Sequence, residues 1–208
     1  TSLVFNKKLD KAASYLLDYL PLQTKKGKKN NSIRLTLDKK MAKEEYSLRI
    51  HSRGIEIRGG EYAGVFNGIQ SLLQLLPAEV YAKKLTYPVE VPLVDIKDAP
   101  QYTYRSLLLD VARTFQPVEE VKRVIDYMAY CKLNKLHFHL VDSEGWRLEL
   151  KKYPHIAEKA GFRGGDSPLH PIYGSFDQKY GGHYTQEELR DIVAYASQRN
   201  IEVIPEVD

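Results

Sequence analysis

Arg113, His137, His139, Asp142, Glu144, Glu206 and Asp208 stand where a parallel β-sheet would carry reactive groups. Three largely apolar runs, Ser106 to Ala112, about Lys135 to Val141 and Ile201 to Asp208, each end in charged residues. Strands buried on both faces read as apolar runs, and barrel enzymes carry their catalytic groups at the carboxyl ends of such strands. Carboxylates held in different environments can serve as general acid and base. Each acid taken singly could equally accept backbone N–H groups, but three strand ends delivering acids to one face favours chemistry. A guanidinium forks two hydrogen bonds to adjacent hydroxyls or to a carboxylate. The pattern leaves open whether Arg113 binds a substrate or pairs with Asp110 at a rim. His137 and His139 share one strand face. Imidazoles suit zinc, yet no third ligand stands at a diagnostic spacing, so packed or hydrogen-bonded histidines are expected and no metal. Trp146 follows the acids closely; its ring suits the C–H face of a sugar, with core packing as the alternative.

The elements that must position these residues form a β–α–β pattern. Pro117 suits a first helical turn, Glu119 and Glu120 favour the positive end of the helix dipole, and Val118, Val121, Ile125 and Met128 make an apolar stripe. A long connection rich in Gly, Pro and Tyr runs from Ser143 to Tyr184, and long ordered loops on a barrel are usually functional. Thr185-Gln-Glu-Glu188 reads as a capping box for a helix burying Leu189, Ile192, Val193 and Ala196. Asn200 can take the left-handed turn that ends it. A barrel needs eight strand–helix units; between two and three are present here, so part of the machinery is expected to be missing from this sequence.

Residues 1–98 follow another grammar. Apolar positions 9, 12, 13, 16, 17 and 20 predict a helix from Lys8 to Leu20. The alternating runs 33–37 and 46–50, with Ile55-Glu56-Ile57 after Gly54, predict strands joined by short connections, hence antiparallel. A second helix is expected from about Glu61 to Leu76, burying Val65, Ile69, Leu72 and Leu76 and ended by Pro77. The fold class is therefore α/β: a small α+β antiparallel-sheet domain (1–98), then the first βα units of a TIM (β/α)8 barrel (99–208). The boundary falls at Asp98-Ala99-Pro100. His51, in the first domain, reads as structural or exposed.

The chain has 208 residues, 43% hydrophobic, with 31 basic against 27 acidic residues. A net charge of +4 is too small to argue for a nucleic-acid partner. The densest basic run, Lys25-Lys26-Gly27-Lys28-Lys29, reads as a solvated loop. Fifteen tyrosines fit carbohydrate-facing surfaces or half-buried packing. Cys131 is the only cysteine, so no intrachain disulfide is expected; it reads as a small buried hydrophobe late in a helix. No stretch is long and apolar enough to span a bilayer, and no signal peptide is visible at Thr1-Ser2-Leu3-Val4.

The block Arg105-Ser-Leu-Leu-Leu-Asp110-Val-Ala-Arg113-Thr-Phe115-Gln-Pro-Val-Glu-Glu-Val-Lys122 resembles the opening of the catalytic domain of glycoside hydrolase family 20, the β-N-acetylhexosaminidases. So do Asn134-Lys-Leu-His-Phe-His-Leu-Val-Asp-Ser-Glu-Gly-Trp-Arg147, Gly182-His-Tyr-Thr-Gln-Glu-Glu-Leu189 and Ile204-Pro-Glu-Val-Asp208. Val65-Phe-Asn-Gly-Ile-Gln-Ser-Leu-Leu-Gln-Leu-Leu-Pro77 is similar to the end of the α+β domain that precedes the barrel in that family.

The resemblance implies a retaining hydrolase whose substrate supplies its own nucleophile, the 2-acetamido oxygen. Its expected partner is a glycan with a terminal GlcNAc or GalNAc, with no metal or organic cofactor and a homodimer of the full-length protein. It implies that Arg113 grips the hydroxyls of the terminal sugar, Asp142 belongs to a carboxylate–histidine relay to the acid, and His139 supports the pocket. Asp208 would lie at the rim, just before the family's Pro-Gly-His; the sugar contact of Trp146 is expected from its ring beside the acids and not from the resemblance. The location implied is secreted or periplasmic, with lysosomal as the alternative. The sequence departs from the family at Ser143 and Glu144, where Asp and Gln are common, and at Thr114, where His is common. The Gly-Gly-Asp-Glu-like motif that carries the family's acid does not occur in these 208 residues. The rival reading is a non-catalytic sugar-binding or scaffold protein with a degenerate barrel.

Overall fold

The computed structural model describes residues 1–24, 31–84, 86–167 and 177–208. The expectation for the Lys25–Lys29 run lies outside these residues. The chain divides into two units, Thr1–Thr103 and Tyr104–Asp208.

The first unit holds strands β1 (Ser2–Val4), β2 (Gln23–Thr24), β3 (Ser32–Leu37), β4 (Tyr46–His51), β5 (Gly54–Gly59) and β6 (Val94–Asp98), with helices α1 (Asp10–Tyr19) and α2 (Tyr62–Gln74). They form one sheet in the order β2-β1-β3-β5-β4-β6. The sheet is mixed, which corrects the antiparallel expectation: β1, β2, β3 and β5 run parallel, and only β4 runs against its neighbours β5 and β6. Short connections constrain only the strands they join. The tight turn at Ser52–Arg53 does make β4 and β5 antiparallel, but β5 folds back between β4 and β3 and therefore lies parallel to β3.

Alternation decides which face is covered. Ile33, Leu35, Leu48, Ile50 and Ile57 are buried, whereas Arg49, Arg58, Asp95 and Lys97 are exposed. Against this core α1 packs Ala12, Ala13 and Leu16, together with Tyr15, which the apolar spacing did not include. Helix α2 is buried continuously from Ala63 to Leu73, more than its expected stripe, and Leu76 lies beyond its end and is only half-buried. Close approach explains Gly59 and Gly64. A Cβ at Gly59 would lie 2.3 Å from the Val65 nitrogen, and one at Gly64 2.2 Å from the Glu45 carbonyl oxygen.

The second unit holds strands β7 (Ser106–Asp110), β8 (Lys135–Asp142), β9 (Gly145–Trp146), β10 (Phe162–Arg163), β11 (Tyr180–Gly181) and β12 (Glu202–Val207), and helices α3 (Val118–Tyr130), α4 (Pro154–Ala160) and α5 (Gln186–Gln198). Strands β7, β8 and β12 are parallel, with β8 in the middle, and β9 folds back antiparallel on β8. Leu136, Phe138 and Leu140 of β8 are buried. The opposite face of the layer carries the polar row described below. Helix α3 begins after Pro117 with Glu119 and Glu120 in its first turn. Helix α5 has the expected capping box between Thr185 and Glu188, and Asn200 takes a φ of 58°.

Three local expectations are corrected. Val193 is exposed, because the buried side of α5 is narrower and centred on Ile192 and Ala196. Cys131 is exposed, because α3 ends at Tyr130 and the cysteine turns outward as its cap. The described part of the Ser143–Tyr184 connection is not one long loop: it contains β9, α4, β10 and β11.

The glycine contacts yield a stability prediction. Gly59→Ala forces the β5–α2 junction apart and should cost about 1–3 kcal/mol, read as a lowered urea midpoint; an unchanged midpoint would contradict the close approach.

Candidate active site

Register builds the site. In the parallel layer Asp110, His139 and Glu206 are direct neighbours on β7, β8 and β12. Side chains level on adjacent strands project to one face. Three polar side chains, consecutive across the layer, therefore meet near its carboxyl end. Arg113 lies just beyond β7 and reaches across to them.

Arg113 is the centre of the cluster. Its backbone N–H donates to Asp110 Oδ1 at 2.9 Å, and Nη1 donates to Asp110 Oδ2 at 3.0 Å. Nη2 stands 2.5 Å from Asp142 Oδ2 and Nε 3.3 Å from Glu144 Oε2. Three carboxylates thus fix the guanidinium, although its side chain keeps 39% of its surface exposed. Its pKa is raised, first by the hydrogen bond to Asp110. The ion pair with Asp110 is present, and it leaves part of the guanidinium facing solvent.

His139 links the two sides. Its Nδ1 lies 2.5 Å from Glu206 Oε2, and its Nε2 lies 3.1 Å from Asp142 Oδ2 and 3.2 Å from Arg113 Nη1. His137 Nε2 reaches the same Glu206 oxygen at 2.8 Å. Burial works against charge on His139, but hydrogen bonds to Glu206 and Asp142 outweigh it and its pKa is raised. The Asp142 carboxyl is held below its ordinary value, first by the Ser143 backbone N–H and then by the Ser143 hydroxyl, His139 and Arg113. Glu206 is lowered chiefly by His139 and then His137. Among the described residues no three His, Cys, Asp or Glu side chains have a geometry to hold a metal ion.

Two expected site residues stand apart. The Asp208 backbone N–H reaches the Val141 carbonyl at 3.4 Å, but among the described residues no hydrogen bond or ion pair joins its exposed carboxylate to the cluster. Half-buried Trp146 pairs with Val141 across β8–β9 and donates its indole N–H to the Leu148 carbonyl at 2.7 Å. No hydrogen bond connects it to the carboxylates among the described residues.

Arg147 was not singled out by the residue pattern. It is fully buried and has no carboxylate partner among the described residues. Its guanidinium donates to the carbonyls of Val111 at 2.8 Å, Ala112 at 2.7 Å and Gly182 at 2.9 Å, and also to that of Gly161. It thereby anchors the two residues immediately before Arg113. Burial, with Arg163 nearby, lowers its pKa. The bridging position of Glu206 was equally hidden, since it depends on β12 lying beside β8.

The comparisons agree with this architecture. Residues 102–208 match the model of "Glycosyl hydrolase family 20, catalytic domain", and residues 1–99 match "Glycosyl hydrolase family 20, domain 2". The chain is 46% identical over 170 residues to a beta-hexosaminidase of Porphyromonas gingivalis, an alignment covering 81% of this chain and 21% of that protein. It is 38% identical over 170 residues to the N,N'-diacetylchitobiase of Vibrio harveyi, covering 78% of this chain and 18% of that protein. A crystal structure of a GH20 exo beta-N-acetylglucosaminidase from Vibrio harveyi in complex with N-acetylglucosamine superposes with a TM-score of 0.91 at 36% identity. That alignment covers 100% of this chain and 32% of the other. The chain thus spans about a fifth of the length of these curated relatives and about a third of that structure.

Two outcomes are expected. Arg147→Lys cannot reach four carbonyls with one ammonium and should cost about 3 kcal/mol, measured by urea unfolding; a wild-type midpoint would refute the clamp. Because the His139 pKa is raised, its contribution is complete below the unfolded histidine pKa and fades as pH rises through the folded one. The lowered Asp142 and Glu206 contribute above the unfolded carboxylate pKa and lose that contribution as pH falls. In unfolding midpoints followed across pH, His139→Gln should therefore remove an alkaline-side decline that wild type shows. By family model and by fold, this chain belongs to glycosyl hydrolase family 20.

Proposed function

We propose that these residues serve a glycoside hydrolase that removes terminal N-acetylhexosamine, GlcNAc or GalNAc, from glycans. The observation that carries the reading is Arg113: a partly exposed guanidinium oriented by three carboxylates at the end of a parallel layer. A planar fork held this way suits a pair of neighbouring sugar hydroxyls. The relatives' names and the N-acetylglucosamine bound in the Vibrio harveyi structure support a GlcNAc-type substrate. In this reading β7, β8 and β12 open a (β/α)8 barrel whose remaining strands lie outside these 208 residues.

Family membership supports a retaining, substrate-assisted course. The 2-acetamido oxygen attacks the anomeric carbon while an acid protonates the departing glycosidic oxygen, giving an oxazolinium that water then opens. This chain's share is binding and electrostatics. Arg113 holds the terminal sugar, and Asp142, kept ionised by Ser143, His139 and Arg113, forms the near end of a relay toward the acid. His139 supports both. Trp146 and Asp208 are assigned sugar contacts at the rim that later strands complete. The acid and the group that orients the acetamido oxygen belong to the Gly-Gly-Asp-Glu-like motif, which these residues do not contain. A homodimer of the complete protein and a secreted or periplasmic location fit a glycan substrate.

In the complete enzyme, Arg113→Ala should lower kcat/KM on a chromogenic GlcNAc glycoside by roughly a hundredfold or more, the loss of charge-assisted hydrogen bonds. Normal kcat/KM would sink the assignment. The 208-residue chain by itself should give no turnover of the same glycoside.

A further inference from the structure

We propose that Glu206 is a positioning residue for the sugar grip: it anchors His139 through Nδ1, and His139 in turn sets Asp142 and Arg113. This rests on the reading of Arg113 as the sugar-binding group and extends it to a side chain on another strand, which makes no hydrogen bond or ion pair with Arg113 among the described residues.

The geometry is specific. Glu206 and His139 are level on neighbouring strands. Oε2 of Glu206 is 2.5 Å from Nδ1 of His139, whose side chain is only 6% exposed. A carboxylate only accepts, so this contact keeps a proton on Nδ1. The protonation state of Nε2 is then free to vary, and its two neighbours demand opposite things. Asp142 Oδ2, at 3.1 Å, needs a donor, whereas Arg113 Nη1, at 3.2 Å, can only donate. With a proton, Nε2 donates to Asp142 and leaves that Arg113 nitrogen to its other partners. Without one, Nε2 accepts from Arg113 and Asp142 loses a donor. Glu206 therefore decides, through the far side of the ring, how the Asp142–Arg113 pair is presented to a sugar.

The charged groups facing the imidazole are Asp110 beside it on β7, Arg113 beyond β7, Asp142 on its own strand and Glu206 on β12; His137, two residues earlier on the same strand, shares the Glu206 oxygen. Three carboxylates against one arginine favour the imidazolium, in keeping with its raised pKa. That charged form is lost as pH rises. Removing the Glu206 charge lowers the His139 pKa, so the loss moves to lower pH.

The test uses the complete enzyme, with competitive inhibition by N-acetylglucosamine and hydrolysis of a chromogenic GlcNAc glycoside followed from about pH 4 to about pH 9. Glu206→Gln should weaken N-acetylglucosamine about tenfold and raise KM more than it lowers kcat. It should also bring the alkaline fall of inhibitor affinity down by about one pH unit. Glu206→Asp keeps the charge but shortens the reach to Nδ1, so it should weaken binding and keep the wild-type pH profile. If the glutamine variant misfolds, wild-type N-acetylglucosamine affinity in Glu206→Asp overturns the proposal and weaker binding at unchanged folding stability supports it. Wild-type affinity and profile in Glu206→Gln would overturn the proposal, as would weaker binding with an unmoved profile, which marks a purely structural role. A parallel Arg113→Ala variant separates the two levels. If it loses binding, the sugar-grip reading stands whatever Glu206 does; if it binds normally, that reading and this inference fall together.

Discussion

The second unit is organised around a buried cation that makes no ion pair with a carboxylate among the described residues. Arg147 places its guanidinium among four backbone carbonyls, those of Val111 and Ala112 past β7 and those of Gly161 and Gly182 on either side of the β10–β11 pair. Carbonyl dipoles compensate the charge in place of a carboxylate, and a planar fork with five N–H donors can serve all four carbonyls, one more than the three donors of an ammonium could. The surroundings are built to that shape. A Cβ on Gly145 would sit 2.5 Å from the guanidinium carbon, and Phe115 places its ring 5.6 Å away. Because two of the carbonyls immediately precede Arg113, the clamp sets where the candidate sugar-binding arginine leaves the sheet.

The second arginine is handled in the opposite way. Arg113 is surrounded by Asp110, Asp142 and Glu144, with His139 and Glu206 behind them. A half-exposed guanidinium with so many acceptors cannot wander among rotamers, which limits the entropy lost when a ligand binds. Interactions of this kind beyond the binding group hold a site to its geometry. Hydrogen-bonding serine also lowers the Asp142 carboxyl, so Ser143, at a position where the family often has an acid, still contributes to the ionised form.

Much of the arrangement was legible in the residues. The capping box at Thr185, the left-handed Asn200 and the start of α3 after Pro117 are local, and local chemistry suffices to place them. The ordered blocks from Arg105 to Asp208 carried the family. What failed was whatever depended on neighbours distant in sequence: the parallel partnership of β3 with β5, the narrow buried side of α5 that exposes Val193, and the outward turn of Cys131. Trp146 was read with the acids because it follows them closely and Asp208 because it ends a strand; among the described residues neither side chain hydrogen-bonds to the cluster.

The sequence by itself determined that three apolar runs end in charge and that His137 and His139 share a face, because a strand alternates with period two whatever lies beside it. Only the tertiary structure decided that Asp110, His139 and Glu206 stand in one row, since strand order and register come from contacts across 67 residues between His139 and Glu206. It also decided that Arg147 is a clamp and Arg113 a presented cation. Both are arginines near a strand end, and the difference lies in burial and in the partners that other segments bring to each.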